Sequence, residues 1–169
     1  MWRSRKRLGC MAAKSHELER PCVLVDQRER IPLSFGPDFD VEHVLLPVGD
    51  YSLRGSSSTV AIERKRNGEL QSCCGTDRER FIAQIERMRE YPVRWLVIES
   101  DMDEITLGLN RSAINPLSVL GTLIKFGSDW NIPVMLCGDA RNTSLFVERI
   151  LLREWKRQQE KLKAERKAG

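Results

Sequence analysis

With 169 residues, 41% of them apolar, the chain has the material for one buried core, and a single folded unit is expected. Its net charge of +4 is spread unevenly: residues 1–20 carry six Lys/Arg against two Glu and residues 151–169 seven against three, which leaves the middle at −4. Five cysteines, odd in number and without CxxC spacing or a nearby His pair, argue against a zinc site, and no stretch approaches the length of a membrane span.

The charge pattern divides the chain into a basic leader (1–20), a folded domain (21–155) and a basic extension (156–169). An acidic centre of this kind calls for a metal or salt bridges, and basic arms can follow a polyanion; for either arm alone, a solvated tail explains the charge equally well. Cysteines that read as free thiols fit a reducing, intracellular compartment, cytoplasmic in a prokaryotic or phage setting and nuclear in a eukaryotic one.

In chain order, "PCVLVD" (21–26) reads as a buried strand and residues 41–47 as a second. "YSLR" and "TVAIERK", separated by "GSSS", read as a hairpin. Thr76 and Glu79 have capping-box spacing, and Phe81, Ile85 and Met88 follow at helical intervals, so a helix is expected over residues 77–91. "VRWLVIES" is then a buried strand, and the acidic run "ESDMDE" a solvated loop, with Glu99 near the strand end and close to any site there. "NPLSVLGTLIKFG" predicts a helix with Asn115 and Pro116 at its start and Leu117, Leu120 and Ile124 on one face. "IPVMLC" is a further strand. A long final helix follows, whose apolar residues run out after Trp155. Strands alternating with helices after a hairpin-rich first half imply a mixed sheet with helices on both faces.

The hairpin carries the chemistry. Alternation along the strand sends Glu63 and Lys65 to one face and Arg64, with Val60 and Ile62, to the other. A four-residue GSSS loop makes the pairing symmetric, opposing Arg54 to Thr59, Ser52 to Ala61 and Asp50 to Glu63. Two carboxylates so placed repel unless a cation sits between them, and oxygen ligands suit Mg²⁺ or Mn²⁺. Lys65, one pleat further along, can stabilise developing phosphorane charge or orient an attacking water, so the set reads as a site for phosphodiester hydrolysis. An ordinary cross-strand ion pair at a sheet edge explains the hairpin alone as well.

"DQRE" (26–29), "VGDY" (48–51) and "AIERKRNGE" (61–69), in that order and spacing, resemble the XPF-type structure-specific endonuclease domain, a branch of the PD-(D/E)xK nucleases. The resemblance continues through "RFIAQIERM", "WLVIES" and "SVLGTLIKFG", covering nearly all of residues 22–152. It implies an α/β fold of restriction-endonuclease type, an α/β/α sandwich around a central mixed sheet with a long C-terminal helix. Asp50 and Glu63 would then bind Mg²⁺ or Mn²⁺ with the Arg64 backbone carbonyl, and Lys65 would be the catalytic lysine. Asp26, Arg28 and Glu29 match the first acidic motif; Asp26 would ligate metal directly or through water and Arg28 hold a phosphate oxygen, while a buried Asp–Arg pair supporting the sheet is the competing account. Glu69 stands where the family usually has Asp. The family's helix-hairpin-helix motifs, which grip duplex DNA, have no counterpart in these 169 residues.

Arg80 and Gln84, four residues apart on one helix face, are candidates for the DNA backbone, as are Lys156, Lys161 and Lys163 in the basic extension. His16 and His43 lack partners at ligand spacing and read as structural; Trp95, Trp130 and Trp155 read as packing residues, and Trp2 as a possible base-stacking group in the leader. The expected activity is metal-dependent cleavage of branched DNA (flap, fork or junction) in repair or recombination. The competing reading is a catalytically silent DNA-binding or scaffold subunit of a heterodimer, with RNA cleavage a third. Domains similar to this one dimerise through their late helices, so a homodimer or heterodimer is expected.

Overall fold

Residues 22–26, CVLVD, are buried on both sides, as a short β-branched run bounded by polar residues requires. They form β1 (Cys22–Asp26), one strand in from the edge of a six-stranded sheet in the computed structural model, which describes residues 20–66, 68–107 and 114–168. The leader up to residue 19, with Trp2, Cys10 and His16, lies outside the described residues. The remaining strands are β2 (Asp40–Val44), β3 (Tyr51–Leu53), β4 (Val60–Arg66), β5 (Val93–Glu99) and β6 (Val134–Leu136). The order is β2-β1-β3-β4-β5-β6, with β3 antiparallel to both neighbours and every other pair parallel.

Among the described residues, five helices cover the sheet: α1 (Glu69–Cys74), α2 (Arg78–Arg87) continuing as a 3₁₀ turn over Met88–Glu90, α3 (Met102–Thr106), α4 (Pro116–Ser128) and α5 (Ala140–Ala168). Alternation within β4 builds two cores. Ala61 joins Leu70, Phe81, Ile85, Leu123 and Phe126 from α1, α2 and α4 on one face, and Val60 and Ile62 join Val147, Ile150 and Leu151 from α5 on the other. The result is the expected α/β/α sandwich with a mixed sheet and a long C-terminal helix. Asp139 accepts the Asn142 amide at 2.7 Å and so caps α5. Gln158, three residues past Trp155, hydrogen-bonds Ser56 and pins the β3–β4 turn to α5.

Three local expectations are corrected and one helix is added. The second strand stops at Val44, because Leu46 turns its amide onto Asp26 instead of continuing the ladder. Residues 69–74 form a helix the sequence pattern does not announce, since it has no side-chain cap. The turn leaving it, in which Asp77 N–H reaches Ser72 C=O at 2.9 Å, moves the start of α2 to Arg78 with Asp77 as N-cap, so Thr76 and Glu79 fall out of capping-box frame. Within "ESDMDE", Asp101 and Glu104 close a reciprocal capping box and make α3 where a loop is expected.

On α4, Asn115 caps through the Leu117 amide at 2.9 Å and Pro116 occupies the first turn, as predicted. Its buried stripe, however, is Val119, Thr122, Leu123 and Phe126. Phe126 packs edge-on against Phe81 with centroids 5.4 Å apart, which turns Leu117 (71% exposed) and Ile124 (66%) to solvent. Among the described residues, no helix is long and apolar enough to cross a membrane.

Candidate active site

Tyr51 pairs with Ile62 across the hairpin, the register expected from a symmetric loop, and Asp50 therefore lies beside Glu63. The turn closes through Ser56 N–H to Leu53 C=O at 2.9 Å, and Ser52 Oγ donates to Val60 C=O at 2.7 Å. Just before Asp50, Gly49 has φ +80°, and a Cβ there would stand 3.0 Å from the Ile62 carbonyl oxygen. Glycine thus lets the Asp50 backbone close onto β4, where its N–H donates to Ile62 C=O at 2.8 Å.

Glu63 is 0% exposed. Its Oε1 accepts from Lys65 Nζ and, at 2.7 Å, from Gln84 Nε2, whereas Oε2 is buried without a hydrogen-bond partner. Lys65 also lies over the Phe81 ring, 5.5 Å from its centroid. Asp50 accepts the Arg64 amide at 2.8 Å. Burial pushes the Asp50 carboxyl well above its ordinary range, and the Glu63 charge pushes it further. Burial also raises Glu63, with Lys65 opposing. For Lys65, burial pulls the ammonium down but the charges of Glu63 and Asp50 outweigh it, so it remains protonated.

This donor set fits a hard divalent cation. A buried carboxylate oxygen without a hydrogen-bond donor, next to a second carboxylate, is an unbalanced arrangement that two positive charges would relieve. Asp50, Glu63 and the Arg64 carbonyl are the groups that could hold it. Among the described residues, no cluster of three or more His, Cys, Asp or Glu side chains forms a metal cage, so water would complete the shell.

Arg64 lies on the opposite face of β4, as alternation requires, and is packed behind the site. Its guanidinium donates to Glu99 at 2.7 and 2.6 Å and to Ile31 C=O at 2.5 Å, and lies 3.6 Å from Glu29. Burial pushes the neighbouring Tyr51 hydroxyl up to about 12, so it stays neutral next to Arg64. One residue therefore fixes Asp50 through its amide and Glu99 and Glu29 through its side chain. Glu29 also accepts the Ile31 amide at 2.9 Å.

Both Asp26 oxygens are taken by hydrogen-bond donors. Its Oδ1 accepts the Arg28 amide at 2.8 Å and Nε at 2.7 Å, and its Oδ2 accepts Arg28 Nη2 at 2.9 Å and the Leu46 amide at 2.8 Å. Those four donors occupy the roughly four acceptor positions of a carboxylate. Burial raises Asp26, yet the Arg28 hydrogen bonds more than offset it and hold the carboxyl below its usual value. The arrangement is that of the sheet-supporting ion pair, with Arg28 66% exposed at the rim.

Asp26, Arg28, Glu29, Asp50, Glu63, Arg64 and Lys65 line one cleft of about 610 Å³ at the carboxyl ends of β1 and β4, and Glu99 is not among its lining residues. Arg80 and Gln84 both line it, but Gln84 is directed at Glu63 and not at solvent. Exposed Arg30 and Arg87 also line it; the spacing of Arg80, Gln84 and Arg87 along one helical face could have included Arg87 among the candidates. Glu69 lines the cleft as well, bound to the Arg66 side chain. Lys156, Lys161 and Lys163 are exposed on α5 and are not among the cleft residues.

A mixed sheet between helical layers, with two acids and a lysine at the strand ends, is a nuclease framework of the PD-(D/E)xK kind. A sequence profile of the ERCC4 domain matches residues 25–150, and the chain belongs to that family as an XPF-type nuclease domain. Among solved structures it is similar to XPF from Aeropyrum pernix, 22% identical with a TM-score of 0.63 over 84% of this chain and 69% of that one. It is similar also to XPF from Aeropyrum pernix in a complex with DNA, at 25% identity and a TM-score of 0.62 over 81% of this chain and 66% of that one. No curated protein matches the chain.

Proposed function

We propose that the chain is a metal-dependent DNA endonuclease acting on branched DNA, such as flaps, forks or junctions, in repair or recombination. The observation that carries this is the half-buried Asp50 beside the fully buried Glu63, with Lys65, at the base of an arginine-rimmed cleft. The likeness to an XPF structure in complex with DNA supports DNA as the substrate.

When bound between Asp50 and Glu63, Mg²⁺ or Mn²⁺ supplies Lewis-acid neutralisation of phosphate oxygens and a more acidic water. The chain contributes position and charge. Asp50 is held by the Arg64 amide, and Arg64 in turn is locked by Glu99 and Glu29, so the carboxylate keeps its place as substrate enters. Lys65 presents an ammonium to the attacking water or the phosphorane charge. Asp26 orients Arg28 to hold a phosphate oxygen, and Glu29 acts through Arg64. Arg80 contacts the backbone at the rim, and Lys156, Lys161 and Lys163 add nonspecific contacts along α5.

The apolar face of α4, Leu117 and Ile124, fits the expected homodimer or heterodimer through late helices. The test is cleavage of labelled flap, fork and plain duplex DNA and RNA by the purified chain, with Mg²⁺, Mn²⁺ or EDTA, alongside Asp50→Ala and Glu63→Ala. Metal-dependent cutting of branched DNA that both substitutions abolish is expected. Cutting that survives both overturns the assignment. Binding of DNA without cutting supports a silent subunit instead.

A further inference from the structure

The two oxygens of Glu63 are served very unequally. Oε1 has two donors, Lys65 Nζ and Gln84 Nε2, while Oε2, equally buried, has none. A nuclease role for the site, on which the following rests, requires Lys65 to leave Glu63 for the reacting phosphate or water. With Lys65 as its single donor, a fully buried carboxylate would be stranded each time the lysine left, and the ion pair would hold the lysine back.

We infer that Gln84 is a positioning residue that retains Glu63 Oε1 while Lys65 is released, and keeps Oε2 turned to the cation site. The amide is suited to this because it donates without charge and so does not compete with a divalent cation. Its base is rigid, since Phe81 and Ile85, on either side along α2, are both in the core. Its target also separates it from its neighbours on the helix. Arg80 and Arg87 share its face and are exposed, whereas the Gln84 side chain ends on a carboxylate at the base of the cleft. A contact with the DNA backbone would need that amide free.

The test compares Gln84→Leu and Gln84→Glu with the unaltered chain in two measurements. One is Mn²⁺ affinity without DNA, followed by the signal of free Mn²⁺ in electron paramagnetic resonance. The other is steady-state cleavage of a flap substrate at pH 8, with DNA affinity measured separately in Ca²⁺. Both variants should lower kcat on the order of 10- to 100-fold, the effect of leaving a buried acceptor one donor short, with KM and DNA affinity unchanged. Mn²⁺ affinity should fall several-fold in Gln84→Leu. Gln84→Glu keeps the size but sets an acid, which repels Glu63 when ionised, where the neutral donor stood, so a role limited to filling space would leave it active. Weakened DNA affinity at unchanged kcat would overturn the inference in favour of a phosphate contact, and so would unchanged kcat and Mn²⁺ affinity together. If the unaltered chain cuts no DNA, the nuclease reading fails by itself, and Mn²⁺ affinity alone decides the role of Gln84: a several-fold loss in Gln84→Leu supports it and an unchanged value overturns it.

Discussion

Asp50→Asn should make the metal-free protein more stable. Burial and the Glu63 charge both raise the Asp50 carboxyl, and burial raises Glu63 too. Groups with raised folded-state values favour the fold below their unfolded values, and that contribution is lost as pH rises through the folded ones. As pH rises the site therefore comes to hold two carboxylates against one ammonium, Lys65. Asparagine removes one of the like charges and retains an oxygen for the Arg64 amide, so the hydrogen bond at 2.8 Å survives. Removing one of two like charges relieves their repulsion, and because Asp50 is partly reached by solvent the gain is held to about 1–2 kcal/mol. For a chain of this size that is a rise of roughly 2–8 °C in Tm. Metal works the other way: at a hundredfold excess over its Kd it stabilises the unaltered site by about 2.7 kcal/mol, and most of that gain disappears in the variant. Thermal melts at pH 5 and pH 8, in EDTA and in Mg²⁺, measure both effects, and the difference in EDTA should shrink toward pH 5. A variant that melts at or below the unaltered protein in EDTA at pH 8 would refute the reasoning.

Arg64→Met leaves Glu99 and Glu29 facing a buried apolar chain and should cost about 3–5 kcal/mol in urea denaturation, with Glu99→Gln recovering part of the loss in the double variant. Arg80→Ala with Arg87→Ala should weaken DNA binding and flatten the dependence of log K on log salt by about 2, read from titrations between 50 and 200 mM salt. For the proposed dimer, Leu117→Ser with Ile124→Ser should shift the chain toward monomer in light scattering without lowering Tm, because both side chains are exposed in the single chain.

Features that depend on local alternation were legible in the sequence. A symmetric turn and an apolar strand permit one register that buries Val60 and Ile62, and that register places Asp50 at Glu63 and sends Arg64 to the rear. Features that depend on which of two surfaces meets the core were not. On α4, Leu117/Leu120/Ile124 and Val119/Leu123/Phe126 both have helical spacing, and the choice is made by Phe81 on another helix. The target of Gln84 depends on how α2 approaches β4, and the saturation of Asp26 depends on a Leu46 amide twenty residues away. Spacing along α2 shows that Arg80 and Gln84 share a face, but not that one ends at the rim and the other on a buried acid.

The pairing within the cleft explains why Asp50 is the lever in these predictions. Asp26 is matched by Arg28, Glu29 and Glu99 by Arg64, Glu63 by Lys65 and Glu69 by Arg66. Asp50 has the Arg64 amide and a share of the Lys65 field, but no cation within ion-pair distance among the described residues. A positive side chain beside it would balance the fold and close the site to a metal. Leaving that position to an amide keeps an uncompensated negative charge next to the open oxygen of Glu63, which lowers metal-free stability and favours divalent cation binding. Asp26 and Glu29, by contrast, both rest on arginines, Arg28 and Arg64.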